Sequence, residues 1–173
     1  MEERADAYQL LKDLGASDRL IAHAQLVGEA ADRLLLEYQS IGMACDSKLV
    51  ELGAVLHDAG KIHHPQELAQ GGSEHELAGR ELLLSHGVQT EVAQCCYSHG
   101  SWNLPDVSFE ERTVALADKL WKGKRESLLE LSIIDAIAEK LGVSRWDIFE
   151  RLDTAFEEIA AGGDDRLQRS RMK

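Results

Sequence analysis

The sequence predicts an all-α fold, a single compact helical domain of about six to eight helices. Three observations carry that expectation. Only two prolines and 5% aromatic residues accompany abundant Ala, Leu and Glu, a composition that favours helices over strands. Apolar residues recur at spacings of three and four along most of the chain. No convincing apolar-polar alternation of period two appears anywhere.

Each element can be read in order. Arg4 to Leu14 reads as a short helix ended by Gly15. Ser17 caps a long helix with Leu20, Ala24, Val27, Ala31, Leu34 and Leu35 at helical spacing, closed by Gly42. Asp46 caps a third that buries Leu49, Val50, Gly53 and Leu56. Gly60 to Gly72, with Pro65 and a Gly-Gly pair, reads as irregular. Ser73-Glu74-His75-Glu76 has capping-box spacing and opens a helix through Leu77, Leu82 and Leu83 that stops at Gly87. Thr90 caps the next, where Val92, Ala93 and Cys96 precede His99. After a loop through Pro105, Phe109 to Lys122 carries Val114, Leu116, Ala117 and Leu120. Glu126 to Leu141 is amphipathic, and Ser144-x-x-Asp147 caps a last helix fading at Gly162-Gly163. The polar tail, residues 163–173, is expected to be mobile.

A chain of 173 residues fits one domain, long enough to bury roughly 70% of its unfolded surface. The formal charge of −12 argues against a nucleic-acid polymer as partner, since such binding requires a basic surface. No apolar run reaches the roughly 18 residues of a membrane span, and Met1-Glu2-Glu3 does not read as a signal peptide. Cys45, Cys95 and Cys96 form no CxxC and read as reduced thiols of a cytoplasmic protein. A homo-oligomer is left open by the sequence.

The candidate chemistry lies in five segments: His23, His57 with Asp58, His75, His99 and Asp118. Adjacent imidazole and carboxylate groups leaving a helix end, as at His57-Asp58, can clamp one divalent ion. A helical bundle can point side chains from separate helices into one interior and so build a two-metal site. Both aspartates stand in otherwise apolar stretches, where an unpaired carboxylate would be costly.

This ordered set resembles the HD-domain superfamily of metal-dependent phosphohydrolases. The likeness covers about residues 17–125, and residues 126–162 follow as C-terminal helices. It is carried by Leu56-His57-Asp58-Ala59-Gly60-Lys61, by His75-Glu76-Leu77-Ala78-Gly79 with Leu82-Leu83, and by Ala117-Asp118-Lys119. The resemblance implies that His23, His57, Asp58 and Asp118 hold one metal, with Asp58 bridging to a second held by His75 and His99. Imidazole and carboxylate donors suit Fe, Mn, Zn, Ni or Co, as one or two ions. A bridging carboxylate places two ions about 3.5–4 Å apart, where a shared water becomes hydroxide near neutral pH and can attack phosphorus. The expected activity is hydrolysis of a nucleotide or another small phosphorylated metabolite. Asp58 and Lys61 are the expected catalytic residues, Lys61 as a cation that reaches the substrate phosphate.

Two alternatives stand beside it. Some HD-type proteins with a similar ligand set hold di-iron and use O₂ to oxidise an alcohol or phosphonate carbon. A non-catalytic ligand-binding module predicts degraded ligands or an appended domain, and neither is read here. His86, before Gly87, reads as a helix C-terminal imidazole, whereas His63 and His64 fit the cleft or the surface equally. Arg80, Lys122 and Arg125 are weaker substrate-contact candidates, the last two from a basic run with Lys119 and Lys124. Selectivity is expected from loops 60–72 and 100–109. Gly79 stands where a zincin helix needs its second His, and P-loop, GxGxxG and GxSxG strings are absent.

Overall fold

A computed structural model of the protein describes residue 1 and residues 3–171, and among these it contains helices and no strand. The helices are α1 (Arg4–Asp13), α2 (Asp18–Ser40), α3 (Ser47–Leu56), α4 (Glu67–Gln70), α5 (Glu74–Ser85), α6 (Thr90–Ser98), α7 (Phe109–Leu120), α8 (Ser127–Leu141), α9 (Arg145–Ala161) and α10 (Gly163–Arg171). A 3₁₀ turn, Ala59–Ile62, follows α3. All eight helices read from the sequence are present, and α4 and α10 are additional.

Helix α3 is the axis of the molecule because it is apolar on both faces. Val50 and Ala54, one turn apart, join a core with Val27, Leu34, Leu116, Ile133 and Phe156. Leu52, Val55 and Leu56 point the other way, into a second core with Leu11, Leu83, Val92 and Cys96. The end of α3 therefore emerges between two packed bodies, where polar groups can be held away from water. Its Leu56 is fully buried, and truncation there to Ala should cost about 2–5 kcal/mol.

The helix starts follow the sequence with two exceptions. Ser17 Oγ accepts from the Leu20 amide at 3.3 Å, Asp46 Oδ1 from the Leu49 amide at 3.0 Å, and Ser144 forms its box with Asp147. Ser73 makes no side-chain cap. The Glu67 carboxylate takes that role instead, accepting from the amides of Glu74 and His75, each at 3.2 Å. Thr90 lies inside α6, whose cap residue is Gln89. Ser108 and Glu111, at S-x-x-E spacing, form a complete capping box on α7.

The segment expected to be a mobile tail is helical through Gly163–Arg171. The cause is a buried arginine. Arg166 Nε donates to the Trp121 carbonyl at 2.7 Å, and Nη2 donates to the carbonyls of Leu120 (3.0 Å) and Ile159. Carbonyls at the ends of α7 and α9 are thus tied together by one side chain, the Leu120 oxygen accepting from the Gly123 amide as well. Residues 172 and 173 lie outside the described residues.

Candidate metal centre

The six sequence-selected donors converge at the end of α3. His57 is the residue that ends α3, its amide still bonded to the Gly53 carbonyl at 2.8 Å, and Asp58 opens the 3₁₀ turn. His23 comes from α2, His75 from the first turn of α5, His99 from the end of α6 and Asp118 from the last turn of α7. All six are buried.

Two glycines permit the convergence. A Cβ on Gly60 would stand 1.9 Å from the His75 carbonyl oxygen and 2.6 Å from the Gly79 amide nitrogen. One on Gly79 would meet Gly60 nitrogen at 2.8 Å. With hydrogen at both positions, the turn after Asp58 lies directly on α5 and brings His75 to the carboxylate. Cys96 Sγ donates to the Leu56 carbonyl at 3.2 Å, tying α6 to the same helix end.

The two oxygens of Asp58 serve different histidines. Oδ2 lies 2.9 Å from His23 Nε2 and 3.7 Å from His57 Nε2. Oδ1 lies 3.1 Å from His75 Nε2 and 3.7 Å from His99 Nε2. In both pairs, His23 with His57 and His75 with His99, the Nε2 atoms are 3.4 Å apart. Two ligands at metal–nitrogen bonds of about 2.1 Å, subtending 90–109°, are separated by about 3.0–3.4 Å. Asp118 Oδ1 stands 3.6 Å from His57 Nε2 and 3.8 Å from His23 Nε2, and so belongs with the first pair.

These residues fit divalent ions. Oδ1 of Asp58 is buried without a hydrogen-bond partner among the described residues, an arrangement that is costly unless a cation faces it. Two three-residue groups sharing Asp58, namely His23-His57-Asp58 and Asp58-His75-His99, have their ligand atoms close enough to hold an ion each. The ring nitrogens that face away are engaged too. His57 Nδ1 contacts the Ala54 carbonyl at 3.0 Å, His99 Nδ1 the Cys95 carbonyl at 3.1 Å and His75 Nδ1 the Glu67 carboxylate at 2.5 Å. Each neutral ring so held presents Nε2 as the lone-pair donor.

The carboxyl and imidazole groups of the centre also shift one another. Burial alone would raise the Asp58 carboxyl, but the imidazoles of His57, His23 and His75 outweigh it and hold the group well below the ordinary range. Asp118 behaves likewise, with His57, Lys122 and His23 overcoming its burial. Burial pushes the His99 imidazole down to about 4. His75 is the exception: burial lowers it, yet Asp58 and Glu67 raise it above the ordinary value.

The centre opens into a cleft of about 670 Å³ whose rim includes Lys61, Lys122 and Arg19. Lys61 Nζ lies 2.6 Å from Asp58 Oδ2, and Lys122 Nζ lies 3.3 Å from Asp118 Oδ2. The basic run is divided by the fold, since Arg125 turns away to Glu130 and Asp153. Arg80 is engaged by Gln94 and is not part of the lining. His63 is exposed, and half-buried His64 reaches Glu74 at 3.4 Å rather than the centre. Exposed His86 sits on the Leu82 carbonyl at 2.9 Å, at the helix end as read. Loop 60–72 reaches the cleft through Leu68 and Gly71, but loop 100–109 contributes nothing to its lining. That place is taken by Leu167 and Ser170 of α10.

Besides Arg19, Leu167 and Ser170 of the lining, two residues that position the donors carry no mark in the sequence candidates. Glu67 sat in the stretch read as irregular, and nothing local marks it. Trp121 donates from Nε1 to Asp118 Oδ1 at 3.3 Å and packs edge-on against His23 at 4.9 Å. Its spacing of three from Asp118 was the available signal.

A family model described as HD domain matches residues 20–122, more than half of the chain. No curated protein and no solved structure matches significantly. With its ordered histidines and aspartates gathered at the end of α3, the chain belongs to the HD domain family.

Proposed function

We propose that this protein is a metal-dependent phosphohydrolase acting on a nucleotide or another small phosphorylated metabolite. One observation carries the reading: Asp58 offers one oxygen to each of two histidine pairs, at the floor of a cleft rimmed by lysines. His23, His57, Asp58 and Asp118 would hold one ion, and Asp58, His75 and His99 the other. Two ions, when bound, supply an activated water near neutral pH and offset charge on phosphoryl oxygens.

The chain's own residues do the remainder. Lys61 and Lys122, each placed by a ligand carboxylate, set two ammonium groups over the centre to receive the non-bridging phosphoryl oxygens. Glu67 fixes the His75 ring, and Trp121 fixes Asp118. Three free cysteines support a reducing, cytoplasmic setting, and among the described residues no helix is long and apolar enough to cross a membrane.

The decisive experiment screens phosphate release from nucleotides and sugar phosphates by protein loaded with Fe, Mn, Zn, Ni or Co, with O₂ uptake followed in parallel. Metal-dependent phosphate release is the expected result. Oxygen consumption with an alcohol or phosphonate, and no phosphate release across the screen, would overturn it in favour of a di-iron oxygenase.

A further inference from the structure

Helix α10 lies beyond the residues that match the family, yet it walls the cleft. Gly163, Arg166, Leu167 and Ser170 share one helical face. Leu167 and Ser170 line the cleft with His23, Asp58 and Asp118. Three contacts hold that face in place. A Cβ on Gly163 would meet Gly123 nitrogen at 2.4 Å and the Lys122 carbonyl carbon at 2.8 Å, so α10 starts in direct backbone contact with the turn bearing Lys122. Arg166, buried to 5% exposure, bonds the carbonyls of Leu120 and Trp121 at the end of the helix that carries Asp118. Arg169 pairs with Glu29 of α2, the helix that carries His23.

We infer that α10 is the substrate-selecting wall of this cleft: Leu167 and Ser170 contact the organic group of a phosphomonoester whose phosphoryl end lies at Lys61 and Lys122. The chemistry is divided along the cleft in that sense. Both lysines sit on ligand carboxylates, whereas α10 presents an apolar side chain and a hydroxyl, and its Arg169 is committed to Glu29 and Asp165. Ser170 Oγ already donates to the Leu167 carbonyl at 2.7 Å, so its lone pairs are available to a hydroxyl or amine of the ligand. The lining also holds Leu68, whose carbonyl accepts from Arg19 at 3.0 Å, and the apolar side chain and hydroxyl of α10 suit an uncharged group such as a nucleoside. A cleft of about 670 Å³ falls within the range of small-molecule sites.

The inference rests on the phosphohydrolase reading, and its test separates the two. Inorganic phosphate and a hydrolysis-resistant nucleoside 5′-phosphonate are titrated calorimetrically into the metal-loaded full chain, wild type and variants. Leu167→Trp, which fills the organic end, should weaken the nucleoside phosphonate about tenfold or more and leave inorganic phosphate within about twofold. Leu167→Ala, which keeps the helix and removes an apolar contact, should weaken the phosphonate about threefold with phosphate again unmoved. Circular dichroism identifies the folded variants, and the Ala variant decides if the Trp variant fails to fold. Variants that shift both probes equally, or neither, overturn the assignment of α10. A wild-type chain that binds neither probe takes down the phosphohydrolase reading, and the selecting wall with it.

Discussion

Glu67 accepts a hydrogen bond from Nδ1–H of His75 at 2.5 Å, so in the neutral ring the nitrogen facing Asp58 carries the lone pair. Glu67 is itself held by two amides at the start of α5. Burial raises its carboxyl, but the His75 ring and those amides bring it below its ordinary value, so it stays an acceptor at neutral pH. Glu67→Ala should weaken the second metal position by about 10- to 100-fold while the first keeps its ion. Metal titration followed by elemental analysis checks this, and Glu67→Gln should retain part of the affinity, because its amide oxygen still accepts.

Asp58→Ala should abolish both metal binding and activity, because among the described residues no other carboxylate offers oxygens to both histidine pairs. His75→Ala and His99→Ala should empty only the second position and leave about one ion per chain. Elemental analysis reads the count directly. Two ions retained by His75→Ala would show that the second position is built from other residues.

Most of the centre was legible in the sequence because each donor sits on, or directly at the end of, a helix whose apolar spacing fixes its direction. His23 shares α2 with Val27 and Leu34, and Asp118 follows Leu116 and Ala117, so burial of those neighbours carries the donor inward. Glu67 was not legible, since its role depends on a loop folding back over α5 and replacing the Ser73 cap. Helix α10 was not legible for a similar reason. Its composition is strongly polar, and it is fixed by Arg166 reaching carbonyls about 45 positions earlier in the chain. Such long-range polar satisfaction leaves no period to read.

Gly60 marks the hinge between sequence and site. Gly60→Ala drives a methyl group to within 1.9 Å of the His75 carbonyl, which only separation of the 3₁₀ turn from α5 can relieve. The expected cost is about 3 kcal/mol, a fall in Tm of about 6–12 °C. The second metal position should weaken at the same time, because His75 moves away from Asp58. A thermal melt with and without metal measures both effects.

The metal-free chain should lose stability in mild acid. His99 titrates near 6.5 when unfolded and at about 4 when folded, so below pH 6.5 the unfolded chain takes up a proton that the native chain refuses. Stability then falls as pH drops from about 6.5 toward 4, and the depressed carboxyls of Asp58 and Asp118 extend the loss to lower pH. His75 works in the opposite sense: its raised value adds stability below pH 6.5 that is lost as pH rises through the folded value. Urea midpoints measured on chelator-treated protein should therefore be highest near pH 6.5 to 7. A midpoint that rose steadily on acidification to pH 5 would contradict the neutral, buried imidazole assigned to His99.

Lys61 and Lys122 stand in matching positions, each ammonium on a carboxylate that is itself a candidate metal ligand. A chain with formal charge −12 repels anions at long range, so a phosphate ester needs compensation close to the reacting group. Lys61→Ala should lower kcat/KM by about 10- to 1000-fold, or about 1.4–4 kcal/mol of transition-state stabilisation, with metal content unchanged. Lys122→Ala should act in the same direction. If both ammonium groups hold the same phosphoryl oxygens, the double variant should lose less than the product of the two single losses, because either removal already displaces the group from its partner. Steady-state kinetics on the four proteins, each with its metal content measured, tests that coupling. Independent, multiplicative losses would place the two lysines on different parts of the substrate.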